Sequence, residues 1–175
     1  MDAAQPESAH ESRFAAVIVE GTDQAIAAWI AAGPGGVYRL RQELTRERRV
    51  SIPEGTSDRF MLDNLRVAAH EAARAFPDEF LTAFADSRWD EDPFACAGFG
   101  AIRRPKVTER LLRTLRAEDH WLRIDAAVAL RGHQHPDLKA ALEAALEDPD
   151  YLVRYHVEER LAEIAAQATP RDTER

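Results

Sequence analysis

The chain has 175 residues, a net charge of −8 and 45% hydrophobic residues, which suits a soluble domain with one core. It lacks the run of about eighteen apolar residues that a membrane span needs, and its N-terminus, MDAAQPESAHESR, is too polar for a secretory signal. Because Cys96 is the single cysteine, an internal disulfide is excluded, and we expect a cytoplasmic protein. Arginine outnumbers lysine and alanine is abundant, a composition typical of bacterial GC-rich coding sequences.

The first predicted element after a disordered tail, residues 1–11, is a helix through Phe14 that stops near Gly21. Thr22 or Asp23 can cap a second helix, because a short polar side chain accepts hydrogen bonds from the free amides of the first turn. The segment AAGPGG then breaks the chain, since glycine and proline together favour a turn.

A third helix is predicted from about Val37, and a long fourth helix is predicted to begin at Ser57 or Asp58. Between them, Pro53 and Gly55 exclude one continuous helix. The segment RAFPDEF that follows the long helix predicts a tight turn between helices and not a linker between domains.

The end of the chain carries a second strong start signal in LEDPDYLVRYHVEERLAEIA. Asp148 can cap a helix, Pro149 suits a first turn, and Asp150 places negative charge near the positive end of the helix dipole. We therefore expect a helix to begin close to Asp148. Apolar residues behind it recur at a spacing of three to four, so one face of this helix needs a partner.

The sequence supplies that partner by repeating itself with a period of 31 residues. Two helices and their turn match between the copies, and a weaker copy lies 28 residues further upstream. The pairs at the longer offset are Val107 with Leu138, Leu111 with Leu142, Leu115 with Leu146, Leu122 with Val153, Arg123 with Arg154, Ala126 with Val157 and Leu130 with Leu161.

A fixed period of this size predicts stacked helical hairpins, because one hairpin cannot bury its own apolar face. The predicted fold class is all-α, an α-solenoid of about 9–10 helices. We expect a single domain over residues 12–167, with a divergent part at 12–76, repeats at 77–167 and a disordered tail at 168–175.

The last copy resembles the HEAT-repeat family, in particular the short HEAT-like repeats of bilin lyases. The resemblance rests on Asp148 in the turn, Val153, and Arg154 at the start of the second helix. It implies a ladder of hydrogen bonds in which such aspartates and arginines link neighbouring hairpins.

The upstream copies depart from that pattern. The preceding copy keeps Arg123 but has Ala117 where the aspartate is expected, with Glu118 or Asp119 as possible replacements. In the copy before it, Ala95 stands in place of the arginine. The resemblance therefore implies an incomplete ladder.

No pattern of catalytic or metal-binding residues rises above a structural interpretation. His133 and His135 lie two residues apart beside a proline, which is typical of polar turn residues and is too little for a zinc site. Cys96 lies among small residues with no base at a suitable spacing, so close helix packing near Gly98 and Gly100 is the favoured interpretation. We therefore predict no cofactor, no metal and no enzyme activity.

Two charged groups could contact partners. Asp90, Glu91 and Asp92 precede Pro93 as a helix start would, and they can also form a patch for a basic partner. Trp89 beside them is predicted to pack inside. Basic residues Lys106, Arg110 and Arg113 share a helix face, and some HEAT-like proteins grip DNA in this way, but the net charge of −8 argues against nucleic acid.

These observations predict a non-enzymatic scaffold that presents the face of its second helices to another protein. An acidic inhibitor of a basic protein, such as an immunity factor for a nuclease toxin, would fit the charge. The alternatives are a bilin-lyase-like or other small-molecule-handling protein and a DNA-binding protein. On the second-helix face we expect contacts from Asp119, Arg123, Arg154, His156, Glu158 and Glu159, with structural roles open for Arg123 and Arg154.

Overall fold

The computed structural model describes residues 20–45 and 58–168, together with residues 13, 14, 16 and 17. Within these residues every regular element is a helix and no strand occurs, so the all-α prediction is confirmed. Ser57 and the predicted tails, apart from residue 168, lie outside the described residues.

Nine α-helices and one 3₁₀ helix follow each other in the described part of the chain. They are α1 (Asp23–Ala31), α2 (Gly35–Thr45), α3 (Asp58–Ala75), α4 (Pro77–Ala83), the 3₁₀ helix (Ser87–Glu91), α5 (Pro93–Ala101), α6 (Pro105–Thr114), α7 (His120–Ala129), α8 (Leu138–Ala145) and α9 (Tyr151–Ala168).

Two of the predicted helix starts are confirmed by their hydrogen bonds. The Thr22 hydroxyl accepts from the amide of Ala25 at 3.2 Å at the start of α1. The Asp92 carboxylate accepts from the amides of Phe94 and Ala95 at 3.0 and 2.8 Å at the start of α5. Both caps satisfy amides that have no partner within their own helix.

The last helix begins close to Asp148, as predicted, but a different aspartate caps it. The helix begins at Tyr151, and Asp150 caps it by accepting from the amide of Leu152 at 2.8 Å. Asp148 lies in the turn and accepts from the amide of Asp150 at 2.9 Å. Its carboxylate is engaged by an arginine from the neighbouring hairpin, which is why it is not the cap.

The helices form stacked hairpins, as the repeat predicts. Each of the last three hairpins pairs a first helix with a second one: α4 with α5, α6 with α7, and α8 with α9. The second helices form one layer, because α3 packs along α5, α5 along α7, and α7 along α9. The chain is therefore an α-solenoid, with its core between the two layers of helices.

Small residues let α5 approach its neighbours, as predicted. A Cβ atom added at Gly98 would overlap the ring of Phe80, and one added at Gly100 would press on Ala129. Cys96 is buried in this contact, and burial raises the pKa of its thiol. A protonated, inaccessible thiol is a packing residue and not a nucleophile.

His133 is not the exposed polar turn residue that its neighbourhood predicts. It is fully buried, with Nδ1 2.9 Å from the Thr108 hydroxyl and Nε2 3.2 Å from the carbonyl oxygen of Gly100. A carbonyl oxygen can only accept, so Nε2 carries a hydrogen and donates. His133 thereby connects the loop after α7 to α5, through Gly100, and to α6, through Thr108.

Replacing His133 by glutamine is expected to flatten the fall in stability between pH 7 and pH 5. Burial lowers the pKa of His133 below its ordinary value of about 6.5. The neutral ring therefore contributes stability above that value, and the contribution is lost as pH falls towards the folded-state pKa, with a limiting slope of about 1.4 kcal/mol per pH unit. Urea unfolding at several pH values measures the slope, and His120→Gln, at an exposed site, is the control. Equal slopes in the two variants would show that His133 titrates as it does in the unfolded chain.

The first helix of the last hairpin, α8, exposes charged residues at positions whose equivalents on α6 are buried. Thr108 and Leu112 are covered by the next hairpin, whereas Lys139 and Glu143, 31 residues later, are exposed and form an ion pair at 3.6 Å. Lys139 and Glu143 therefore face solvent where the equivalent side chains of the preceding hairpin are buried.

Candidate protein-docking surface

Arg123 and Asp148 join the last two hairpins. Arg123 on α7 donates from Nε and Nη2 to the two Asp148 oxygens at 2.7 and 3.0 Å. Both side chains are largely buried, 12% and 9% exposed. The hydrogen bonds from Arg123 hold the pKa of Asp148 below its usual value. A two-pronged contact of this kind fixes orientation as well as charge.

Arginine also holds the turn within each hairpin. Arg123 donates to the carbonyl oxygens of Ala117 and Glu118 at 2.9 and 2.8 Å, and Arg154 donates to those of Asp148 and Pro149 at 2.5 and 3.1 Å. These contacts place both arginines in the framework of the solenoid. Their contact with a partner stays a prediction, and their hydrogen bonds within the chain favour the structural role.

One hairpin earlier, the ladder lacks both the arginine and its aspartate partner. A contact one hairpin earlier would join position 95 to position 117, and both are alanine. An arginine or an aspartate alone at this depth would leave an unpaired charge, which is costlier than two alanines. Asp119 does not replace the aspartate, because it accepts from the amide of Trp121 at 2.8 Å and caps α7.

The acidic segment before α5 is used mainly inside the chain. Asp90 is 17% exposed and lies 2.6 Å from the Arg110 guanidinium and 3.3 Å from that of Arg113. Asp92 is the helix cap described above, and Glu91 ends the 3₁₀ helix. Trp89 is buried against Phe84, as predicted. A partner contact at this segment stays a prediction.

The basic strip on α6 is not a free phosphate-binding surface. Arg110 is 14% exposed, donates to the carbonyl oxygen of Phe84 at 2.9 Å and lies over the ring of Phe99 at 4.1 Å. Arg113 shares Asp90 with it, which leaves Lys106 as the exposed cation of the three without a described ion pair. Two of the three cations are thus paired within the chain, which leaves less unpaired positive charge on this strip for phosphate groups.

The second-helix layer carries the main exposed apolar surface of the C-terminal half. Trp121 and Val128 on α7 are 59% and 42% exposed, and Tyr151 and Tyr155 on α9 are 66% and 52% exposed. Residues seven apart share one face of a helix, as do residues four apart. Arg131, just after the end of α7, lies 2.7 Å from Glu159 on α9, and α7 packs along α9, so the two stripes lie on neighbouring helices. We call these four apolar residues the aromatic surface.

Predicted contact residues border this surface. Glu159 accepts from the Tyr155 hydroxyl at 3.2 Å and lies 3.2 Å from Nδ1 of His156, while Glu158 is exposed. Asp119 is also exposed, two residues before Trp121. The fold thus places three of the predicted residues beside Tyr155 on α9, and Asp119 beside Trp121 at the start of α7.

Sequence reasoning missed Asp125, which lies on α7 between Trp121 and Val128. It interrupts the apolar residues that follow Arg123 in LRIDAAVAL, and that interruption was the available signal. Its side chain is 18% exposed, and Arg66 on α3 reaches it at 3.5 Å. Burial raises its pKa.

Other features of the described residues give no sign of chemistry. A cavity of about 410 Å³ lies between the turns of the last two hairpins, lined by alanines of α8 and by the Arg123–Asp148 pair. No group of three His, Cys, Asp or Glu side chains in the described ranges is placed to hold a metal ion. None of the helices described is long and apolar enough to span a membrane.

In a comparison with protein families, residues 77–170 match a model described as HEAT repeats. That segment covers more than half of the chain and includes the last three hairpins. No curated protein and no solved structure matches the chain.

Proposed function

Because the chain belongs to the HEAT-repeat family, whose repeats generally serve as protein-interaction scaffolds, we propose that it docks a basic partner protein on its second-helix layer. The observation that carries the proposal is the aromatic surface, where two tyrosines, a tryptophan and a valine are exposed on neighbouring helices. Aromatic residues are enriched at the centres of protein interfaces, because they bury a large area with little loss of conformational entropy.

Charge supports a basic partner. Residues 117–168 contain eleven acidic and five basic residues, a net of −6, whereas residues 58–116 contain ten of each. Most of the −8 charge therefore lies in the half that carries the aromatic surface. A surface of one sign attracts and orients a partner of the other sign.

The residues we propose as contacts are Asp119, His156, Glu158 and Glu159, together with the aromatic surface. A stacked solenoid presents these side chains on a rigid support, so little conformational freedom is lost on binding. The proposal assigns no catalytic step, in keeping with the scaffold role typical of the fold. An inhibitor of a basic protein is one form that such docking would take.

Photo-crosslinking tests the docking face directly. Benzoylphenylalanine replaces Val128 in one variant and Lys139, exposed on the first-helix side, in the other. We expect the Val128 variant to crosslink in cells to a protein of high isoelectric point, and the Lys139 variant to give no such product. Equal products from both positions, or none from Val128, would count against docking on this face.

A further inference from the structure

Asp125 is an unusual carboxylate for a solenoid framework. It is mostly buried, yet the ionic partner described for it, Arg66, approaches only to 3.5 Å. Arg66 is shared with Asp63 at 3.6 Å and lies over the ring of Phe94 at 5.7 Å. By contrast, the framework pair Arg123–Asp148 makes two contacts of 2.7 and 3.0 Å.

A buried carboxylate with one long ion pair destabilises the folded chain. Removing it from water costs free energy that only short, well-aligned hydrogen bonds offset. Asp125 keeps oxygen lone pairs that Arg66 does not fill, since a carboxylate accepts about four hydrogen bonds. Such a residue is typical of a site that is completed by another molecule.

The surroundings of Asp125 suit an incoming cation. Trp121 lies one helical turn before it on the same face and is 59% exposed, with the His120 ring 4.7 Å from its own. On the neighbouring helix α5, the position equivalent to Asp125 at the offset of 28 residues is Ala97, a small residue. Arg66, which lies over the ring of Phe94 on α5, already borders the carboxylate on that side, so an incoming arginine would approach from the side of Trp121.

We propose that Asp125 is the anchor of the docking surface and receives an arginine side chain of the partner, which stacks on Trp121. This inference rests on the proposed function and names its central contact. Arginine fits better than lysine, because its planar guanidinium can donate two hydrogen bonds to a carboxylate while its flat face stacks on an aromatic ring.

Titration with a nona-arginine peptide at physiological salt tests the anchor. Asp125→Asn keeps the shape and removes the charge, and Asp137→Asn removes an equal charge from a site that is 82% exposed on another part of the surface. We expect Asp125→Asn to weaken binding about tenfold and Asp137→Asn to change it less than about twofold. Nona-lysine should bind the wild-type chain more weakly than nona-arginine.

Stacking on the Trp121 indole is tested by separate variants. Trp121 is exposed, so its replacement should not disturb folding. Trp121→Phe keeps an aromatic face and should retain most of the affinity, whereas Trp121→Leu should lose it. Thermal unfolding gives a second readout: Asp125→Asn should be at least as stable as the wild-type chain, which a framework residue would not be.

The outcomes separate this inference from the proposed function. Equal weakening by Asp125→Asn and Asp137→Asn, or no binding of nona-arginine to the wild-type chain, would overturn the anchor. Docking itself would then still be judged by crosslinking at Val128. Crosslinking without an Asp125 effect would retain the docking face and reject the arginine anchor.

Discussion

Replacing Arg123 by alanine is expected to lower the free energy of unfolding by about 3 kcal/mol. The change leaves the Asp148 carboxylate, 9% exposed, without its two-pronged partner and frees the carbonyl oxygens of Ala117 and Glu118. Urea unfolding measures the loss. Arg116→Ala is the matched control, because Arg116 is exposed nearby and its removal should cost less than about 0.5 kcal/mol.

A double-mutant cycle isolates the contact. Asp148→Ala should also destabilise the chain, but the double variant should cost clearly less than the sum of the single changes, because the unpaired charge is removed with its partner. Additive losses would mean that the two side chains act separately and that the link between hairpins lies elsewhere.

The pKa of Asp148 is lowered by hydrogen bonds from Arg123, whereas that of His133 is lowered by burial. The pKa of Asp148 is lower in the folded chain, so its contribution is present above the unfolded-state value of about 4 and is lost as pH falls through the folded pKa. The gap in stability between wild-type and Arg123→Ala chains should therefore narrow below about pH 4.

The repeat could be predicted because every hairpin needs buried apolar residues at the same positions to pack against its neighbours. Leu111 and Leu142 are both fully buried, as are Val153 and Val157 on the last second helix. Positions that face a neighbouring hairpin follow its period, since the same contact recurs. The family ladder was predictable for the same reason at Arg123 and Asp148.

The candidate site was less predictable, because it depends on contacts that no period records. Asp125 meets Arg66 from two hairpins away, and 59 residues separate them in the chain. His133 is buried because a loop folds back onto α5 and α6, although a turn rich in polar residues favours exposure. Such contacts join unlike positions and leave no local pattern.

The burial of Arg160 on α9 could not be predicted either, since nothing in VEERLAEIA marks it as buried. Its side chain is 2% exposed and donates from Nε to the carbonyl oxygen of Leu130 at 3.2 Å and from Nη2 to that of His133 at 2.6 Å. These carbonyls lie where α7 ends, and helix ends leave carbonyl oxygens without partners in their own helix. Arg160 therefore completes the end of α7 from the next hairpin.

Replacing Arg160 by methionine, which keeps much of its length, is expected to cost about 3 kcal/mol. The hydrophobic replacement does not compensate, because the carbonyl oxygen of His133 loses the donor described for it and that of Leu130 keeps only the amide of His133. Arg131→Met is the control: that arginine also pairs across hairpins, with Glu159, but it is 46% exposed and its replacement should cost less than about 1 kcal/mol.

Urea unfolding measures the loss of stability in the two variants. Hydrogen exchange should show faster exchange for the amide of His133, which bonds to Leu130, only in the Arg160 variant. Similar costs in both variants would mean that water replaces Arg160 at these carbonyls, and the end of α7 would then be held by α7 and its own loop.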